Sequence, residues 1–189
     1  CDYAQRWDST AFHQQVATLH ADGAVPCYTG FHPHLWRPNV YAGVRVDADG
    51  RMLEIREKHS FTPDKTDGYH SSGAYYFKDG ALLKHYVEKM LTTGETINGE
   101  YYVSMIYPLM LADGCTIAVP LVDTFMQWGT PEDLEEYEAW GQLIYQAAGV
   151  SKPRTEIPAA RAANLVPPHQ PGTELYQETY QYWQQYHNL

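Results

Sequence analysis

The sequence predicts an α/β fold, and three observations carry the prediction. Apolar runs of strand length alternate with amphipathic stretches of helical period along most of the chain. Turn-forming strings such as Asp47-Ala48-Asp49-Gly50 and Lys78-Asp79-Gly80 separate these runs. The run from Cys115 to Val122 is continuously apolar, as in a strand covered on both faces. With 189 residues, of which 44% are hydrophobic, the chain is long enough to bury a core, and 16 Tyr and 5 Trp are unlike a disordered composition.

Residues 8–21 place Phe12, Val16 and Leu19 at helical spacing, with Asp8 or Ser9 as N-cap and Asp22-Gly23 as the stop. Strands are predicted over 24–28 and 40–46, and the turn at 47–50 leads into 52–57 as a hairpin. Residues 60–69 are polar and rich in turn formers, a surface loop. An aromatic strand over 72–77 precedes a helix on which Leu82, Tyr86, Met90 and Leu83, Val87, Leu91 recur every four residues. A second helix is predicted from near Gly99-Glu100 through Val103, Ile106, Leu109 and Met110, with Pro108 kinking or ending it. Thr130-Pro131-Glu132-Asp133 combines an N-cap, a first-turn proline and acidic groups at the positive end of a helix dipole. Residues 149–172 shift to Pro and Ala, a linker or strap, and 174–187 form a helix with Tyr176, Tyr180 and Trp183 on one stripe. The predicted organisation is a domain over 1–148 and a tail over 149–189, the aromatic stripe serving as a packing surface or a homodimer contact.

Thirteen basic against 23 acidic side chains give a formal charge of -10, which disfavours a nucleic-acid partner. No apolar run approaches the ~20 residues of a membrane span, and the first residues lack the pattern of a secretory signal. Three irregularly spaced cysteines, Cys1, Cys27 and Cys115, fit reduced thiols and a cytoplasmic location. No two glycines are separated by a single residue and no Gly-Lys-Ser/Thr occurs, so the common glycine-rich phosphate cradles are absent; so is a Gly-x-Ser-x-Gly elbow. His32-Pro33-His34 with Cys27 upstream matches no closed zinc spacing and reads as a loop of hydrogen-bonded histidines.

Four ordered strings remain: Glu57-Lys58 after a strand; Ser71-Ser72-Gly73-Ala74-Tyr75-Tyr76-Phe77; Asn98-Gly99-Glu100-Tyr101-Tyr102; and Trp128-Gly129-Thr130-Pro131-Glu132-Asp133-Leu134. Together these resemble the C-terminal half of sugar-phosphate nucleotidylyltransferases, the NDP-sugar pyrophosphorylases, over about residues 1 to 146. The resemblance implies part of a Rossmann-like, glycosyltransferase-A-like mixed sheet flanked by helices, with a C-terminal helical tail. It implies a parent reaction of NTP and sugar-1-phosphate to NDP-sugar and pyrophosphate. Charge builds among mutually repelling phosphates in that reaction, so Mg²⁺ held by a carboxylate is the expected electrostatic help.

On this resemblance Asp2 is the catalytic metal ligand and Lys58 the catalytic lysine on the sugar phosphate. Glu57 and Glu100 accept sugar hydroxyls, and Gly73 and Trp128 complete the substrate site. Relatives carry a second metal-binding Asp where this chain has Gln127, which leaves Asp123 as a substitute ligand. Taken alone, Asp2 reads as a solvated residue, and Glu54, Arg56, Glu57 and Lys58 as an exposed charged strand edge. The glycine-rich N-terminal half of the family has no counterpart here, and the chain begins at Cys1 rather than Met, so a fragment inactive by itself is expected. The alternatives are a non-catalytic sugar-phosphate-binding or protein-interaction module, and a metal-dependent glycosyltransferase.

Overall fold

A computed structural model describes residues 3–38, 41–150 and 169–187; Asp2 and most of the predicted Pro/Ala linker lie outside the described residues. The fold is mixed α/β, short sheets flanked by helices. The chain divides into two compact units: Gln5–Gly30 with Leu35–Phe125, and Cys1–Ala4 with Phe31–His34 and Met126–Leu189.

After β1 (Tyr3–Arg6), helix α1 (Ser9–Thr18) starts at Asp8, whose carboxylate accepts the Thr10 and Ala11 amides at 2.8 and 3.2 Å. Pro26 has no amide hydrogen, and the strand predicted over 24–28 divides around it into β2 (Gly23–Ala24) and β3 (Cys27–Tyr28), which join different sheets. β4 (Gly43–Val46) and β5 (Met52–Arg56) form the predicted hairpin. Its turn is fixed by Asp47, whose Oδ1 accepts the Asp49 and Arg51 amides at 2.9 and 2.8 Å. β6 (Tyr69–Ser71) pairs antiparallel with β3 and β4, giving the order β3-β6-β4-β5. The polar loop before it contains a 3₁₀ turn, Lys65–Asp67.

Two predicted strands are shorter than expected. Only β7 (Tyr76–Phe77) survives of 72–77, because Gly73 takes a left-handed conformation, φ +80, that interrupts an extended chain. Only β8 (Ile117–Ala118) survives of 115–122, where Pro120 lacks a ladder donor. Both flank β2, β7 antiparallel and β8 parallel. Asp22 clamps this junction: its carboxylate accepts Lys78 Nζ at 2.6 Å and the Thr116 amide at 3.0 Å.

α2 (Gly80–Thr93) is capped by Asp79, which accepts the Leu82 amide at 2.7 Å. α3 (Ile106–Ala112) begins later than predicted, after a 3₁₀ turn at Val103–Met105. Pro108 lies in its first turn, where an amide hydrogen would have no intrahelical acceptor, so it neither kinks nor ends the helix. The core of this unit joins Val25, Val44, Met52 and Ile55 from the strands to Tyr86 and Met90 of α2 and to Ile106, Tyr107 and Met110 of α3.

β9 (Thr124–Gln127) pairs with β1. In the smaller unit α4 (Pro131–Ala147) starts at the predicted N-cap Thr130, which forms a capping box with Asp133. α5 (Glu174–His187) packs on α4: the Trp140 and Tyr176 rings lie 4.9 Å apart and the Tyr137 and Trp183 rings 5.5 Å apart. The aromatic stripe offered as a homodimer contact is therefore used inside its own unit, and the exposed face of α5 is the polar one of Gln177, Gln181 and Gln185.

Candidate functional site

The site is assembled in the larger unit where β5 ends and the chain reverses at Glu57-Lys58. Lys58 holds a left-handed backbone, φ +53, which is costly for a residue with a Cβ. Gly43 on β4 makes room for the reversal: a Cβ there would come within 2.3 Å of the His59 carbonyl oxygen. Glu57 and Lys58 thereby line a cleft of about 440 Å³. Its lining also includes Arg56 and Glu95, Met90 and Thr93 of α2, Ser104 and Met105 of the 3₁₀ turn, and Pro108 and Leu109 of α3.

Glu100 reaches this region through a two-residue turn. Asn98 and Gly99 both have positive φ, +53 and +81, and Ile97 and Glu100 exchange amide-to-carbonyl bonds of 3.0 and 3.1 Å, the hairpin turn that Asn-Gly favours. That turn stands where the sequence predicted a helix start. Tyr102 follows, and its hydroxyl donates to the Glu100 carboxylate. The Lys58 ammonium donates to the Tyr102 oxygen at 2.7 Å and lies 4.8 Å from the ring centroid. The Tyr102 oxygen, followed by the negative charges of Glu100 and Glu57, raises the Lys58 pKa and keeps the ammonium protonated.

A second chain of contacts starts at Glu57. Ser104 is 1% exposed and donates its hydroxyl to the Glu57 carboxylate. Burial pushes the Glu57 carboxyl up, opposed by the Ser104 bond and then by the Lys58 charge. Burial pushes the nearby Tyr75 phenol up to about 12. The Ser71 hydroxyl donates to the Tyr75 oxygen at 3.4 Å, and the Gly73 amide donates to Ser71 Oγ at 3.1 Å. Of the residues singled out in the sequence, Lys58 and Glu100 are linked through Tyr102 and Glu57 is held by Ser104, while Gly73 belongs to a separate set of bonds with Ser71 and Tyr75. A positive group, two carboxyl groups and a hydroxyl cluster suit an anionic, polyhydroxylated ligand.

Sequence reasoning assigned no role to Tyr102 and passed over Ser104. The available signal was a serine inside the otherwise apolar run from Val103 to Met110.

The other candidates stand elsewhere. Trp128 belongs to the smaller unit and packs its ring 5.3 Å from that of Tyr137. Gln127 is buried, and its amide donates to Asp133 at 2.7 Å; the same carboxylate accepts the Thr130 amide at 3.0 Å. The side chain that replaces a metal-binding Asp in the resemblance is here a partner of the helix cap. Asp123 is exposed, and its amide donates to the Arg6 carbonyl at 2.9 Å. Among the described residues no group of three His, Cys, Asp or Glu side chains could hold a metal ion, whereas Mg²⁺ in phosphate chemistry is commonly held by one or two carboxylates together with the substrate phosphates. His32 and His34 set their rings 5.7 Å apart edge to face, and His32 packs against Tyr182. Cys27 and Cys115 are free thiols, the former buried. Among the described residues no helix is long and apolar enough to cross a membrane.

No family model and no curated protein matches the sequence. Among solved structures the chain is similar to the nucleoside-diphosphate-sugar pyrophosphorylase of Vibrio cholerae RC9, with a TM-score of 0.53 and 15% identity over 70% of this chain and 51% of that one. It is also similar to a protein described as a glucose-1-phosphate thymidylyltransferase from Bacillus anthracis, solved with sucrose, with a TM-score of 0.49 and 16% identity over 71% of this chain and 49% of that one. The chain therefore spans about half the length of either structure. At this identity the first likeness establishes the fold, the mixed α/β architecture of the Vibrio pyrophosphorylase.

Proposed function

We propose that the chain is the sugar-phosphate-binding part of a sugar-1-phosphate nucleotidylyltransferase, acting in the reaction of NTP and sugar-1-phosphate to give NDP-sugar and pyrophosphate. The observation that carries this reading is a cleft lined by Glu57 and Lys58, with Glu100 joined to Lys58 through Tyr102, in a fold shared with a nucleotide-sugar pyrophosphorylase. Lys58 pairs with the phosphate of the sugar phosphate, Glu57 and Glu100 accept sugar hydroxyls, and Gly73 contributes to the substrate site as the resemblance implies. Trp128 as a substrate residue, and Asp2 as a catalytic ligand, with Asp123, for Mg²⁺, rest on the resemblance alone. The free thiols at Cys27 and Cys115 support a cytoplasmic setting. A homodimer through α5 would use its outer glutamine face.

A second reading, a non-catalytic sugar-phosphate-binding module, is favoured by one observation: the chain has no glycine-rich loop to hold a nucleoside triphosphate. Both readings require the sugar-phosphate site, so the first test is saturation-transfer NMR with a panel of sugar-1-phosphates and the matching free sugars. Transfer to the phosphorylated members and little to the free sugars is expected; no transfer to any sugar-1-phosphate overturns both. Incubation with NTP and the bound sugar-1-phosphate then separates them. The chain alone is expected to form no NDP-sugar, and robust turnover would contradict the proposal that it is an incomplete enzyme.

A further inference from the structure

We infer that Tyr102 is a positioning residue that keeps Lys58 and Glu100 apart and available for ligand by placing one phenolic oxygen between them. The inference rests on the function proposed above, in which Lys58 takes the phosphate and Glu100 a hydroxyl. Without a spacer, an exposed ammonium and a nearby carboxylate pair directly, and each cancels the charge the other needs for its ligand. The Tyr102 oxygen accepts from Lys58 Nζ at 2.7 Å while its hydroxyl donates to Glu100, so both charges are held by one neutral group. The ammonium spends one of its three N–H donors on Tyr102 and the carboxylate one of its two oxygens. The phenol is itself fixed, because Tyr102 lies between the Asn98-Gly99 turn and the Val103–Met105 3₁₀ turn, and its amide meets Met105 Sδ at 3.4 Å.

Tyr102→Phe keeps the ring beneath the ammonium and removes only the oxygen. Lys58 then closes onto Glu100, and affinity for inorganic phosphate and for α-glucose-1-phosphate falls by about tenfold, the loss of a charge-assisted hydrogen bond. Adding Glu100→Gln to Tyr102→Phe removes the competing carboxylate and restores most of the inorganic phosphate affinity. A purely structural role for Tyr102 would give no such rescue. Calorimetry with both ligands on the wild type and the two variants reads this directly. Wild-type affinity in Tyr102→Phe, or a double variant no better than the single one, overturns the inference.

The ¹³Cε titration of Lys58 supplies a readout that needs no ligand. In Tyr102→Phe its midpoint should drop clearly when Glu100→Gln is added, whereas in the wild-type background the same change lowers it less. Equal responses in the two backgrounds overturn the inference. Failure of the wild type to bind either ligand, with the Lys58 titration behaving as described, counts against the proposed function and leaves the spacer standing.

Discussion

Ser104→Ala is the perturbation whose size follows most directly from the structure. Ser104 is buried and its hydroxyl donates to a half-buried carboxylate. A hydrogen bond to a charged group contributes about 1.5–3 kcal/mol. Glu57 keeps partial access to water, which replaces some of that bond, so about 1–2 kcal/mol is the expected loss at pH 8. For a chain of this size that lowers the melting temperature by about 3–6 °C. The sign with pH follows from Glu57. Burial raises its folded pKa above the unfolded value, so the stability linked to that shift is fully present below the unfolded pKa and is lost as pH rises through the folded one. The Ser104 bond offsets part of that loss, and its removal is felt above the folded pKa, where the carboxylate is ionised. Urea unfolding of the wild type, Ser104→Ala, Glu57→Ala and the double variant at pH 8 and pH 4 measures this. The two substitutions should couple by about 1 kcal/mol or more at pH 8 and by less at pH 4. Additive effects at both pH values, or a Ser104→Ala protein as stable as the wild type at pH 8, would refute the reasoning.

Lys58→Gly should melt about 2–4 °C above Lys58→Ala, because both lack the ammonium but only glycine takes φ +53 without strain; equal melting temperatures would contradict this. Sugar-phosphate binding should weaken on acidification at a pH above the ordinary carboxylate range, as the raised Glu57 carboxyl takes up its proton, and this component should vanish in Glu57→Gln; an unchanged calorimetric pH profile in the variant would exclude Glu57 as an acceptor. Asp22→Ala should cost about 1–2 kcal/mol at neutral pH by urea unfolding, since it strands the Thr116 amide and releases Lys78. Its partners lower the Asp22 pKa, so that contribution is present above the unfolded value and fades as pH falls through the folded one; a penalty that grows on acidification would contradict this. Trp140→Ala should cost about 3–5 kcal/mol within the α4 and α5 unit, where the side chain is fully buried against Tyr176 and Tyr180, and amide exchange in those helices should accelerate selectively; unchanged exchange there would contradict the packing.

The elements legible in the sequence are those fixed by local chemistry. Asp8, Asp79 and Thr130 cap helices through their own side chains, and Asp47 closes a hairpin turn on itself, so each is visible within a few residues. Strand lengths are not local: Gly73 and Pro120 end their strands through backbone conformation and a missing donor, against an aromatic or apolar pattern that favours continuation. The late start of α3 has the same origin, because Asn98-Gly99 stands as a tight turn ahead of a helix-like apolar period. The site divides in the same way. Glu57, Lys58 and Glu100 stand out as charged residues in family-like strings. Ser104 and Tyr102 draw their roles from neighbours 47 and 44 residues distant in the chain, which periodicity does not reveal. Gln127 was legible as a departure from the family pattern, and its bond to Asp133 gives that departure a structural use.

The central claim is that Lys58 and Glu100 act as two parts of one sugar-phosphate site. A calorimetric titration of the wild type, Lys58→Ala and Glu100→Ala with a panel of sugar-1-phosphates, with and without Mg²⁺, tests it most directly. The account predicts saturable binding that both substitutions weaken, Lys58→Ala abolishing the preference for the phosphorylated sugar over the free one. Binding that neither substitution changes, or no binding across the panel, would contradict it.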